Sequence, residues 1–123
     1  MLLERRLRFS LKGVSQMLPN FFIVGAPKCG TTALTSFLSQ HPEVFFCKPK
    51  EPNYFSRDVH SRGLRSLIDY ELLFEGSEGY KARGEGSVFT LYSHHGLREI
   101  KERIEVPKFI VMLRDPISAS ISM

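Results

Sequence analysis

The segment FFIVGAPKCGTTALTSFLSQHP, residues 21–42, constrains the fold of this chain more than any other. It opens with four consecutive apolar residues, a pattern typical of a strand that is covered on both faces in a parallel sheet. A loop bounded by Gly25 and Gly30 follows. The next residues have the apolar spacing of a helix, which Pro42 ends. One face of this helix is predicted to carry Leu34, Phe37, Leu38 and His41.

Strands and helices are predicted to alternate along the rest of the chain. The apolar pattern predicts, in order, a strand at 44–46, a helix at 64–72, a strand within 84–93, a helix at 97–104 and a strongly buried strand at 109–113. We therefore expect a three-layer α/β/α fold with a mainly parallel sheet.

The C-terminal end of the sequence predicts one more helix. Asp115 is a suitable N-cap and Pro116 a suitable first helical residue, so a helix would begin there and be cut at Met123. We therefore interpret residues 20–123 as the N-terminal portion of a larger, truncated domain, and residues 1–19 as a basic lead-in.

Length and composition limit the classes of protein to consider. The 123 residues allow one domain with a modest core, and 42% hydrophobic with 24% charged residues is ordinary for a globular protein. The net charge of +4 suits an anionic ligand, but the basic residues are scattered, which does not favour nucleic acid. No apolar run approaches the roughly 18 residues of a membrane span. Charged residues interrupt the N-terminus, unlike a signal peptide, and this favours a cytoplasmic protein.

The glycine-bounded loop has the composition of an anion site. Main-chain N–H groups at the start of a helix converge on an anion, and the helix dipole favours its charge. Gly25 and Gly30 allow a tight turn, and Thr31 and Thr32 add hydroxyl donors. The glycine spacing is that of a nucleotide P-loop, but Thr31 stands where the P-loop lysine belongs, and Lys28 lies inside the loop.

The residue after the last predicted strand helps to distinguish between anionic ligands. A P-loop nucleoside triphosphatase usually holds Mg²⁺ with an aspartate near a strand end. Here that residue is Arg114, whose planar guanidinium suits a phosphate or a surface ion pair. Two separated anion sites without an evident metal site suggest a nucleotide with phosphates at two ends. A P-loop nucleotide kinase and a truncated, non-catalytic nucleotide-binding fragment are the alternatives.

Two motifs resemble those of a known enzyme family. PKCGTT, Pro27 to Thr32, resembles the 5′-phosphosulfate loop of the sulfotransferases that use 3′-phosphoadenosine 5′-phosphosulfate (PAPS). RDPISASIS, Arg114 to Ser122, resembles their 3′-phosphate motif. The resemblance implies a P-loop-like fold, PAPS as sulfuryl donor and no metal. It also implies transfer to a hydroxyl or amine of a small molecule or carbohydrate.

The resemblance implies roles for individual residues. Lys28 would contact the bridging oxygen and stabilise the charge on the leaving phosphate. Arg114 and Ser122 would hold the 3′-phosphate, although the arginine that many members carry three residues after the proline is Ala119 here. The 5′-phosphate would be held by Gly30, Thr31 and Thr32, with Pro27 and Cys29 in the same cofactor-binding loop. Cys29 is interpreted as a small filler, with a reactive thiol as the alternative.

Two regions of the sequence contain candidates for the residue that takes the proton of the acceptor. KPKEPNYFS, residues 48–56, resembles the Lys-Glu-Pro segment whose glutamate is the base in Golgi-type and bacterial members, which assigns that role to Glu51. His94 and His95 lie near the position at which the cytosolic type places a catalytic histidine, and they rank second.

Two further segments concern the acceptor. Residues 84–93, GEGSVFTLYS, resemble the bacterial segment GEASPxYL, which is expected to line the acceptor cleft. Gly86 stands where some carbohydrate sulfotransferases have a lysine next to the glutamate. An assisting lysine is therefore absent here or comes from another part of the chain. Lys48 and Lys50 either line the path of an anionic substrate or are solvated.

Overall fold

The predicted alternation of strands and helices is confirmed by the structure, a computed structural model that describes residues 18–48, 50–59 and 62–114. Single turns of 3₁₀ helix lie at Tyr54–Ser56 and Thr90–Tyr92. The helix predicted from Asp115 lies outside the described residues. The main elements are β1 (Phe21–Gly25), α1 (Thr31–Ser39), β2 (Val44–Phe46), α2 (Leu67–Leu72), β3 (Ala82–Glu85), α3 (Gly96–Arg103) and β4 (Lys108–Val111).

The described strands form one parallel sheet in the order β2-β3-β1-β4. Phe21 at the start of β1 lies opposite Gly84 on one side and Lys108 on the other. A Cβ added to Gly84 would lie 2.1 Å from the ring of Phe21, so a glycine is needed there. Parallel strands place all their carboxyl ends at one edge of the sheet, and the loops that leave this edge are where α/β folds form their sites.

The main core lies on the face of the sheet that carries Phe22 and Val24. Its centre is aromatic, and the rings of Tyr54 and Tyr70 stack with centroids 4.9 Å apart. Because burial of each large apolar side chain contributes about 1.5–3 kcal/mol, this cluster holds α2, α3 and the segment after β2 to one face. Its members are Leu18, Phe22, Val24, Cys47, Tyr54, Phe55, Tyr70, Phe74, Ile100 and Ile104.

Helix α1 supplies the third layer on the opposite face. Its Leu38 lines a groove together with Phe21 and Ile110, and the helix packs against β2. Only part of the predicted apolar face is covered, since Phe37 is 72% exposed. The buried residues of α1 are instead Thr31 and Thr35, because the loop after β3 lies against that side, with Gly86 next to Thr35.

The prediction of a strongly buried last strand is wrong. Strand β4 ends at Val111 rather than at residue 113, and Phe109, Val111 and Leu113 are 37%, 45% and 79% exposed. These side chains are exposed because β4 is an edge strand of the described sheet and pairs only with β1 among the described strands. A continuous apolar run indicates a strand but does not distinguish an edge strand from a central one.

Other boundaries differ by a few residues. Helix α2 begins at Leu67 because Ser66 caps it, accepting a hydrogen bond from the N–H of Asp69. The strand predicted within 84–93 begins earlier and ends at Glu85. The domain boundary at residue 19 stays a prediction, with Leu18 buried in the core on its N-terminal side. No helix of the described ranges is long and apolar enough to cross a membrane.

Candidate active site

The loop between β1 and α1, residues 25–30 and hereafter the anion loop, leaves the carboxyl end of a central strand. Gly25 has φ 155°, and an added Cβ would lie 3.1 Å from the carbonyl oxygen of Val88. Lys28 has φ 61° and Gly30 has φ 84°, both left-handed. This conformation costs a non-glycine residue on the order of 1 kcal/mol. Lys28 is therefore held in a strained turn of the kind that is concentrated at functional sites.

The N-terminus of α1 is open toward this loop. Its N-cap is Gly30, no described side chain caps the first turn, and that turn contains no acidic residue. The unpaired N–H groups and the positive end of the helix dipole therefore favour an anion. Of the two threonines predicted to bind it, Thr31 is buried and Thr32 is exposed. Pro27 is half-buried beside them.

Three cationic side chains surround the anion loop. Lys28 belongs to it and is exposed. Lys50 donates a hydrogen bond of 3.1 Å from Nζ to the Oγ1 atom of Thr32, and Arg114 donates one of 3.0 Å from Nη1 to the main-chain oxygen of Lys28. None of the ion pairs among described residues involves these three cations. Their positive charge, which no ion pair between described residues neutralises, makes this end of the sheet attractive to an anion.

The cysteine of the anion loop is buried, with 8% exposure, which fits the filler interpretation. No disulfide joins Cys29 and Cys47, and burial raises the pKa of the Cys47 thiol far above its usual value. The predicted 3′-phosphate residue Ser122 and the neighbouring Ala119 lie outside the described residues. Of the predicted 3′-phosphate pair, the structure therefore places Arg114.

Glu51 is connected to the first residue of the anion loop through Val88. Its Oε1 atom accepts a hydrogen bond of 3.3 Å from the N–H of Val88, whose own carbonyl lies against Gly25. Asn53 holds the segment around Val88 in place, because its N–H donates a hydrogen bond of 2.9 Å to the Oγ atom of Ser87. Its own main chain is left-handed, with φ 55°. The structure thus brings the predicted base and the predicted donor site to one edge of the sheet.

A buried carboxylate, Glu85, lies beneath this arrangement and was not predicted. Its side chain is 1% exposed and accepts hydrogen bonds from the hydroxyl of Tyr70 at 2.8 Å and from the N–H of Ser87 at 3.1 Å. Burial raises the pKa of Glu85, and these two hydrogen bonds oppose part of the rise. Its sequence signal was only a glutamate between two glycines at a strand end.

The second candidate base lies in a different cluster. His95 Nδ1 is 3.2 Å from Glu99 Oε1, and His95 Nε2 is 3.8 Å from Asp58 Oδ2. Asp58 also accepts hydrogen bonds from the N–H of His94 and the hydroxyl of Ser93, which hold the pKa of its carboxyl below the usual value. Both ring nitrogens of His95 therefore face carboxylates, whereas the Glu51 carboxylate is connected to the anion loop through Val88.

Comparisons with known proteins point to one family. Residues 19–72 match the model of the Sulfotransferase family. A sulfotransferase of Alicyclobacillus acidocaldarius, known from a crystal structure, is 37% identical and has a TM-score of 0.78, with 85% of this chain and 47% of that chain covered. The chain carries the N-terminal part of a sulfotransferase domain.

Curated sulfotransferases show the same likeness over most of the chain. The membrane-associated sulfotransferase kil1 of Dictyostelium discoideum is 29% identical over 91% of this chain and 24% of its own length. A mouse heparan sulfate glucosamine 3-O-sulfotransferase, 3B1, is 34% identical over 88% of this chain and 26% of its own length. The chain thus spans about a quarter of these two sulfotransferases. The family-model match includes both the anion loop and Glu51.

Proposed function

We propose that this chain carries the donor site of a sulfotransferase that moves a sulfuryl group from PAPS to a hydroxyl or amine acceptor. The observation that carries the proposal is the set of three cations without a described ion pair, Lys28, Lys50 and Arg114, around an open helix N-terminus. PAPS carries anionic groups at two ends, which matches cations contributed by separate loops. The likeness to sulfotransferases supports PAPS among phosphorylated nucleotides.

The anion loop is proposed to hold the 5′-phosphosulfate. The N–H groups at the start of α1 and the exposed hydroxyl of Thr32 would bind phosphate oxygens, with Gly30 and Thr31 shaping the turn and Pro27 and Cys29 completing it. Lys28 would place its ammonium on the oxygen that bridges phosphorus and sulfur. That oxygen gains negative charge as the bond to sulfur breaks, and a fixed cation stabilises charge that develops in a transition state.

Arg114 is proposed to hold the 3′-phosphate together with Ser122. Its guanidinium already lies at the anion loop through the hydrogen bond to Lys28, so it is close to where the nucleotide would bind. A planar guanidinium can make two parallel hydrogen bonds to one phosphate. This second anion site would fix the nucleotide in one orientation relative to Lys28.

Glu51 is proposed to be the general base. In the transfer step an acceptor oxygen or nitrogen attacks sulfur, the bond between sulfur and the bridging oxygen breaks, and the acceptor proton passes to the Glu51 carboxylate. The products are the sulfated acceptor and adenosine 3′,5′-bisphosphate. The hydrogen bond from Val88 N–H to Oε1 orients the carboxylate, and no hydrogen bond from a described residue occupies its Oε2 atom.

We propose a carbohydrate as the acceptor class. The support is the likeness to sulfotransferases named for heparan sulfate and for carbohydrates. The test is incubation of the chain with radiolabelled PAPS and N-desulfated heparan oligosaccharides, which offer both hydroxyls and amines. We expect labelled oligosaccharide and an equal amount of adenosine 3′,5′-bisphosphate, with labelling slowed by about 10²–10³-fold in Lys28→Ala. Nucleotide binding without transfer to any acceptor would favour the non-catalytic alternative.

A further inference from the structure

Lys50 reaches the anion loop from the segment that follows β2. Its Nζ atom donates to Thr32 Oγ1 at 3.1 Å, although the two residues are far apart in the sequence. The stem of the lysine lies over Gly86, where an added Cβ would be 3.2 Å from Cε of Lys50. Gly86 also donates its N–H to the main-chain oxygen of Lys50 at 3.1 Å. The missing side chain at residue 86 thus leaves room for this lysine.

The charge of Lys50 has no ion-pair partner among the described residues. The residue is half-buried. The neighbouring carboxylate of Glu51 instead accepts a hydrogen bond from Val88. An ammonium has three donor hydrogens, and a neutral threonine hydroxyl uses one of them. The hydrogen bond to Thr32 lies at an exposed position, so an anion can approach the remaining donors of this ammonium from solvent.

We propose that Lys50 is a donor-binding residue whose ammonium contacts the 5′-phosphosulfate end of the nucleotide. The inference rests on the proposed function, because it takes Thr32 as a phosphate ligand. An anion that binds the Thr32 hydroxyl lies within reach of an ammonium only 3.1 Å from that oxygen. Lys28 and Lys50 then hold the same group from two loops, the one after β1 and the one after β2.

Lys48 provides a matched control for this role. It lies two residues away in the same segment and carries the same charge, but it is exposed and has no hydrogen bond or ion pair to a described residue. Removing its charge changes the general potential of the surface by a similar amount. A specific contact of Lys50 therefore predicts a difference between the two substitutions that long-range electrostatics does not.

The experiment is calorimetric titration of the unmodified chain, Lys50→Met and Lys48→Met with adenosine 3′,5′-bisphosphate and with adenosine 3′-monophosphate. Methionine keeps the apolar stem over Gly86. We expect Lys50→Met to lose about tenfold or more in affinity for the bisphosphate, the size of a hydrogen bond to a charged group. Affinity for the monophosphate should be unchanged, Lys48→Met should behave like the unmodified chain, and Lys50→Arg should recover most of the loss.

Two different failures are distinguishable. If the unmodified chain binds the bisphosphate and Lys50→Met binds it equally well, the role of Lys50 is overturned and the donor site stands. An equal loss for both nucleotides, or for both lysine variants, also overturns a contact at the 5′ end. If the unmodified chain binds neither nucleotide, the proposed function and the role of Lys50 are overturned together.

Discussion

The guanidinium of Arg114 donates a hydrogen bond of 3.0 Å to the main-chain oxygen of Lys28. These residues follow two neighbouring parallel strands, β4 and β1, whose carboxyl ends meet at one edge of the sheet. The contact therefore brings the two sequence motifs into one site, although they are separated by most of the chain. Because the two residues are proposed to contact different groups of the nucleotide, replacing each of them should have a different effect.

Lys28→Ala should lower sulfuryl transfer by about 10²–10³-fold, the usual effect of removing one group that stabilises transition-state charge. Binding of adenosine 3′,5′-bisphosphate should change much less, because the N–H groups of α1 remain. The measurement is the transfer rate with radiolabelled PAPS beside a calorimetric titration, with Lys48→Ala as control. Full activity in Lys28→Ala would remove the role assigned to this lysine.

Arg114→Ala should weaken binding of adenosine 3′,5′-bisphosphate by roughly tenfold or more, while binding of adenosine 5′-monophosphate stays nearly constant. The reason is that only the first nucleotide carries the 3′-phosphate proposed to contact this guanidinium. Isothermal titration of both nucleotides against both proteins measures the difference. Equal losses for the two ligands would argue against a 3′-phosphate contact.

Glu51→Gln should lower the transfer rate by about 10²–10⁴-fold, as expected for loss of a general base, without weakening nucleotide binding. His95→Gln should change the rate only slightly, because the ring of His95 faces Glu99 and Asp58. Parallel rate measurements on the two variants decide between the candidates. The opposite order of effects would transfer the role of base to the histidine.

Glu85→Gln should change how stability depends on pH. Burial raises the pKa of Glu85 above the value of 4.5 that glutamate has in an unfolded chain. Between these two pKa values the folded state binds more protons than the unfolded state, so the contribution of Glu85 to stability falls as pH rises. Below pH 4.5 that contribution is complete.

Chemical unfolding of the unmodified chain and Glu85→Gln at several pH values from 4 to 8 tests this prediction. At low pH the glutamine amide replaces a neutral carboxylic acid that likewise has one carbonyl acceptor, so the two proteins should differ in stability by less than about 1 kcal/mol. As the pH rises, the unmodified chain should lose stability relative to Glu85→Gln, because the amide does not titrate. A difference that is constant with pH would show that Glu85 does not carry a raised pKa.

Much of the fold could be predicted from local sequence patterns. The strand from Phe21 and the helix pattern at Leu97 and Ile100 have apolar spacings that local geometry alone produces. The glycine spacing around Lys28 likewise indicated a turn into a helix, and the structure has left-handed residues there. These features depend on residues that are close together in the chain.

The features that could not be predicted depend on distant partners. The exposure of Phe109 follows from the order of strands in the sheet, which a single apolar run does not contain. The burial of Glu85 depends on Tyr70 and Ser87, and the position of Lys50 depends on Thr32 and on the space over Gly86. Such pairings become visible only when the topology has placed the loops side by side.

We propose that this chain binds a nucleotide with phosphates at its 3′ and 5′ ends through the anion loop and Arg114. The most direct measurement is calorimetric titration of the purified chain with adenosine 3′,5′-bisphosphate without metal, beside ATP with Mg²⁺. We expect micromolar binding of the bisphosphate and none of Mg-ATP. Binding of Mg-ATP alone would instead support a P-loop kinase and rule out this donor site.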